Sequence, residues 1–163
     1  MQPQPETPLL LEYLFGESAA LARQAASPRL LRWCRAFDEW LAERRRECQP
    51  ATYRHSKVVW QRLLQNSRKM PWELAPADLQ RHVDSLREAG YAPTSLAHEL
   101  GAVRSFFRYC ARHEVDPLCG PGFDPTAGVR RPKVTPYANA RLLSREQVLA
   151  LLAAVLQDCL LYT

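Results

Sequence analysis

Apolar residues recur at three- and four-residue steps in four separate stretches of the chain, and a proline stands at the head of each. Leu30, Trp33, Cys34, Phe37, Trp40 and Leu41 follow Ser27-Pro28 and predict a helix running to about Cys48. Ser27 can accept from the first unpaired backbone N–H groups, and Pro28 suits the first turn because its missing N–H would have no partner there. A second helix is expected from about Pro50 to Gln65, with Tyr53, Trp60, Leu63 and Leu64 on one side and Thr52, His55, Val59 and Arg62 on a neighbouring one. A third begins near Pro76, carries Leu79, Val83 and Leu86 as its stripe and stops at Gly90. The fourth opens at Pro93 and lines Leu96, Leu100, Val103, Phe107 and Cys110 along one side. Upstream, Leu9 to Ala26 fits one short helix behind a Pro- and Gln-rich start that reads as disordered. No stretch alternates with the period of a strand and none repeats, so the pattern predicts an all-α bundle of four main helices.

The texture changes at Asp116. Pro117, Gly120, Pro121, Gly122, Pro125, Gly128, Pro132 and Pro136 punctuate the chain as far as Tyr137, which suits an extended linker and not a core element. Beyond it Ser144 and Gln147 form a capping box, and Val148, Leu151, Leu152 and Val155 follow at helical spacing. The expected organisation is an N-terminal extension at 1–26, the bundle at 27–115, a basic Pro/Gly-rich linker at 116–143 and the start of a further domain at 144–163.

The side of the Pro93 helix opposite its apolar stripe carries Thr94, His98, Gly101, Arg104, Ser105, Arg108 and Arg112. A small, basic front on an apolar back can lie against nucleic acid: small residues let the backbone approach, and guanidinium groups reach phosphates or guanine edges. The same residues also fit an ordinary solvated face. Charge is unevenly placed. Between Pro50 and His113 ten Lys or Arg stand against five Asp or Glu, a surplus equal to the +5 of the whole chain, and all four histidines lie there too. The Arg44-Arg45-Arg46 run favours the end of its helix dipole and could also touch a phosphate.

Other chemistries find little support. The five cysteines are odd in number and form no C-x-x-C pair, which argues against a zinc site or a disulfide framework; Cys34 and Cys110 read as small core residues. There is no Gly-rich phosphate loop, no H-E-x-x-H and no G-x-S-x-G. His82 and His113 read as surface or capping residues, and Asp78 and Asp84 have no evident carboxylate partner. No cofactor, metal or small-molecule substrate is expected. The start MQPQPETP is unlike a signal peptide and no run approaches a membrane span, so a cytoplasmic protein is expected.

The run Thr94-Ser95-Leu96, then Leu100-Gly101-Ala102-Val103-Arg104-Ser105-Phe106-Phe107-Arg108-Tyr109, resembles the last long helix of the core-binding domain in tyrosine recombinases, the phage-integrase and Xer-type family. Pro50-Ala51-Thr52-Tyr53, Ala77-Asp78-Leu79-Gln80, Gly90, Asp124-Pro125, Arg131-Pro132-Lys133 and Leu143-Ser144-Arg145-Glu146-Gln147-Val148 fall in the family's order, so the similarity covers roughly residues 30 to 163. The resemblance implies a SAM-like four-helix core-binding bundle, a linker and the first helix of a catalytic domain. It implies double-stranded DNA as the partner, together with other recombinase protomers in a synaptic complex. By motif position it implies Thr52, Thr94 and Arg104 as DNA contacts; helix geometry and charge add His55, Lys57, His98, Ser105 and Arg108, and the basic linker adds Arg131 and Lys133. The family's tyrosine nucleophile and activating residues belong to its C-terminal domain. This chain reaches Leu161-Tyr162-Thr163, where the segment before the first catalytic arginine would start, so no catalytic residue is expected in it and Tyr162 reads as structural. Ser56 stands where the family often has tyrosine, and Gly101 where serine is frequent. The competing reading is a helical protein-interaction module without specific DNA binding.

Overall fold

The structure, a computed structural model, describes residues 7–120, 122–134 and 143–160, the side chains of 156–160 excepted. The Pro- and Gln-rich start through Glu6, residues 135–142 of the Pro/Gly stretch and Leu161-Tyr162-Thr163 lie outside the described residues. Among the described residues seven α-helices follow in order: α1 (Leu9–Phe15), α2 (Ala19–Gln24), α3 (Pro28–Glu47), α4 (Pro50–Ser67), α5 (Pro76–Glu88), α6 (Pro93–Arg112) and α7 (Arg145–Leu160), with short 3-10 turns at Gly16–Ser18 and Pro71–Glu73. No strand occurs among the described residues. The fold is all-α.

The four proline-led helices are α3 to α6. Ser27 Oγ accepts from Leu30 N at 3.2 Å, as its capping position requires. At α5 the cap comes from inside the helix: Asp78 Oδ2 accepts from Ala75 N at 2.9 Å. The stretch expected as one helix at 9–26 is broken instead. Gly16 sits at φ +53, a conformation that ends α1, and a 3-10 turn leads into α2.

Helix α6 is the bundle's centre. It packs against α3, α4 and α5, while α1 closes the far side against α3 and α4. Phe106 is fully buried, and its ring lies 4.9 Å from Trp60, 5.2 Å from both Phe37 and Trp40, and 5.9 Å from Trp33, centroid to centroid. Several of these pairs meet edge to face, the arrangement favoured by the ring quadrupoles. A small bundle gains most per residue from large rings, and this core is built mainly from them.

The expectation of an extended linker with no core role fails between Asp116 and Val129. Asp116 accepts from Arg29 Nε at 2.6 Å, Arg29 Nη2 at 3.2 Å, Trp33 Nε1 at 3.2 Å and Leu118 N at 3.1 Å. Phe123 meets Phe107 edge to face at 5.6 Å, and Cys119 and Val129 are buried. A Cβ on Gly128 would come within 3.0 Å of Pro76 Cβ, so the close approach of this segment to α5 needs a glycine there. Proline and glycine serve here to fold a strap tightly against the bundle. In α7 the reciprocal Ser144–Gln147 cap forms, and every side chain from Leu143 to Val155 is exposed.

Candidate nucleic-acid interface

The burial of Leu96, Leu100, Val103, Phe106, Phe107 and Cys110 turns the opposite side of α6 outward. Thr94, His98, Gly101, Arg108 and Arg112 are exposed along it, and Arg104 and Ser105 are half-buried at its two margins. Nothing stands within 4 Å of the place a Gly101 Cβ would occupy, so the middle of this face is open. Helix α4 lies against the inner flank of α6, and its first turns come alongside this face. The His55 and His98 rings meet edge-on at 6.5 Å. Thr52 is exposed in the first turn of α4, and the Lys57 ammonium sits 5.9 Å from the Tyr53 ring. Of these residues the structure brings His55 and His98 together across α4 and α6, with Thr52 in the turn before His55 and Thr94 in the turn before His98, whereas Lys57 turns to Tyr53 and Arg108 lies further along α6.

The margins of the face are tied down. Arg104 Nε lies 2.9 Å from Asp124 Oδ2, an ion pair without a well-aligned hydrogen bond, so the strap claims this arginine. Asp124 is itself held by the Thr126 N–H at 2.9 Å and by the Thr126 hydroxyl. Ser105 Oγ accepts from Trp40 Nε1 at 3.2 Å and from Arg44 Nη1 at 3.0 Å. Both residues, expected as free contacts, thus have protein partners. Arg112 pairs with Glu43 at 2.9 Å. Arg131 and Lys133 are exposed and border a hollow of about 390 Å³ with Arg87 and Pro93, beside the start of α6.

Sequence reasoning misplaced one group and overlooked another. His82, expected at the surface, is buried, with Nε2 3.6 Å from Glu99 Oε2. Glu99 is buried too, and Arg62 Nη1 reaches its other oxygen at 2.6 Å while lying 5.2 Å from the Tyr91 ring. The signal was present: Glu99 falls three residues after Leu96 and four before Val103, on the apolar arc of α6. This cluster joins α4, α5 and α6 beneath the outward face. Asp78 is similarly structural. Burial pushes its carboxyl up, but the Ala75 N–H and the Lys69 and Arg81 charges outweigh that and hold it below the usual carboxylate range. Arg44, from the basic run at the end of α3, lines a groove of about 610 Å³ between α3 and α6 together with Arg104, Arg108 and Arg112.

Comparison with known proteins agrees with this architecture. Residues 36–114 match the family "phage integrase, N-terminal SAM-like domain". Over 87 residues the chain is 28% identical to the tyrosine recombinase XerD of Chlorobaculum tepidum, a stretch that covers 53% of this chain and 27% of that protein. No solved structure matches the chain significantly. The matched residues run from within α3 to just past α6, so the bundle is similar to an integrase-type N-terminal SAM-like domain, and the matched part spans about a quarter of the relative's length. No helix among the described residues is long and apolar enough to cross a membrane.

Proposed function

We propose that this chain grips duplex DNA through the outward face of α6 and the first turns of α4, as the core-binding part of a site-specific tyrosine recombinase. The observation that carries the reading is the exposed row Thr94, His98, Gly101 and Arg108, open at its centre, on a helix whose other side anchors the aromatic core. Arg108 forms no ion pair among the described residues, so its charge is available to a phosphate or a guanine edge. Thr52 and Thr94 stand at helix starts, where their hydroxyls suit phosphate oxygens. Arg131 and Lys133 extend the positive surface past the start of α6. Arg104 and Ser105 support this face from its edges. Holding DNA is the task assigned to these residues; strand cleavage is not assigned to any of them. Further recombinase protomers are the second partner class that this role implies.

Fluorescence anisotropy with a labelled duplex tests the reading. Binding should weaken steeply with added salt, because each phosphate contact releases counterions. Arg108→Ala should lower affinity. Equal affinity for Arg108→Ala and the parent, or binding insensitive to salt, would favour the interaction-module reading instead.

A further inference from the structure

Arg44 near the end of α3 is ordered by its neighbours without being neutralised by them. Its Nε donates to Ser56 Oγ at 3.0 Å and its Nη1 to Ser105 Oγ at 3.0 Å, so hydroxyls from α4 and α6 fix the guanidinium from two sides. The Trp40 ring lies 5.6 Å from its central carbon. Ser56 is fully buried and turns its own hydroxyl hydrogen to Thr52 O at 2.9 Å, which leaves its oxygen lone pairs for Arg44. No carboxylate pairs with Arg44 among the described residues. Of the acids in the groove, Glu43 is engaged by Arg112, and Glu47 stands one turn along α3 towards its end. Arg104, the other half-buried arginine of the groove, is matched by Asp124. Arg108, facing Arg44 from α6, carries no carboxylate either.

A half-buried cation held by neutral hydroxyls keeps its full charge in a partly desolvated place, and an arriving anion relieves that cost. A planar guanidinium fixed in advance also loses little freedom on binding. We propose that the α3–α6 groove is a built phosphate site, in which Arg44, fixed by Ser56 and Ser105, and Arg108 from the facing helix close on one phosphodiester of the duplex backbone. The inference rests on the DNA-binding reading above and extends it to α3, a helix that reading does not use. It also gives Ser56 a reason to be small and hydroxylated: a larger residue there would occupy the place that Arg44 fills.

The test is duplex anisotropy on the full chain across a salt series, for the parent, Arg108→Ala, Arg44→Gln and Arg44→Lys, with thermal unfolding of each recorded alongside. Arg44→Gln should bind about tenfold more weakly and should lower the slope of log affinity against log salt by about one phosphate contact. Arg44→Lys keeps the charge but cannot span both serines, so it should fall between Arg44→Gln and the parent; it carries the test if Arg44→Gln does not fold. No duplex binding by the parent would remove both this inference and the reading beneath it. Weakening by Arg108→Ala with parental affinity and slope for both Arg44 variants would overturn this inference alone. Displacement of duplex by inorganic phosphate at matched ionic strength, seen for the parent but not for Arg44→Gln, would assign the groove to free phosphate and overturn the duplex commitment.

Discussion

Asp116→Ala should destabilise the bundle well beyond the usual effect of a change in a Pro/Gly-rich stretch. The carboxylate is buried and receives both Arg29 donors, the Trp33 indole N–H and the Leu118 N–H. Truncation leaves the Trp33 N–H, on a fully buried side chain, without an acceptor, at a cost of roughly 1–3 kcal/mol. The Arg29 side chain is 35% exposed, so water screens its pair and the loss there is about 1 kcal/mol or less. Together these give about 1–4 kcal/mol, read as a lower urea midpoint at unchanged slope. Burial raises the Asp116 carboxyl, but the Arg29, Leu118 and Trp33 hydrogen bonds and the Arg29 charge outweigh it and hold it below the usual carboxylate range. The sign of the pH effect follows. The stabilisation is complete above the ordinary carboxylate pKa and is lost as pH falls through the lower folded value. The parent should therefore lose stability in acid more steeply than Asp116→Ala, and the two should converge at low pH. Equal midpoints at neutral pH would refute the reasoning and return the strap to the status of a linker.

Other outcomes follow from the same packing. Phe106→Ala, which removes the ring at the centre of the aromatic core, should cost about 3–5 kcal/mol in chemical unfolding. Ser27→Ala should cost about 1 kcal/mol through loss of the α3 cap, seen as a small drop in melting temperature. In native thiol labelling, Cys34, with its thiol pushed up to about 12 by burial, and Cys119, pushed up to about 11 by burial and by Asp116, should react far more slowly than half-buried Cys48. Gly128→Ala should loosen the strap from Pro76 and speed proteolysis between Asp116 and Val129.

Helices α3 to α6 were legible because each carries its own punctuation: a proline at the first turn and a stripe of apolar residues at helical spacing. The outward face of α6 was legible for the same reason, since periodicity that buries Leu96 and Phe107 must expose Thr94 and Arg108. What periodicity does not encode is partnership at a distance. Asp124 meets Arg104, Asp116 meets Arg29 across 87 residues, and Ser105 meets Arg44 across 61, and no local pattern announces those pairs. The strap was misread because proline and glycine spacing reports where a chain bends, and is silent on whether the bends fold back onto a core. His82 was misread because the residue type suits the surface, whereas its place on the α5 stripe beside Val83 and Leu79 decides its burial.

The central claim is that the outward face of α6 meets the duplex. Amide chemical-shift mapping on addition of duplex DNA tests it most directly. The account predicts that the largest shifts fall on Thr94, His98, Gly101 and Arg108, with the first turns of α4 following, and that they fade as salt is raised. Shifts concentrated on the exposed side of α5 or on α7, with the α6 face unmoved, would contradict it.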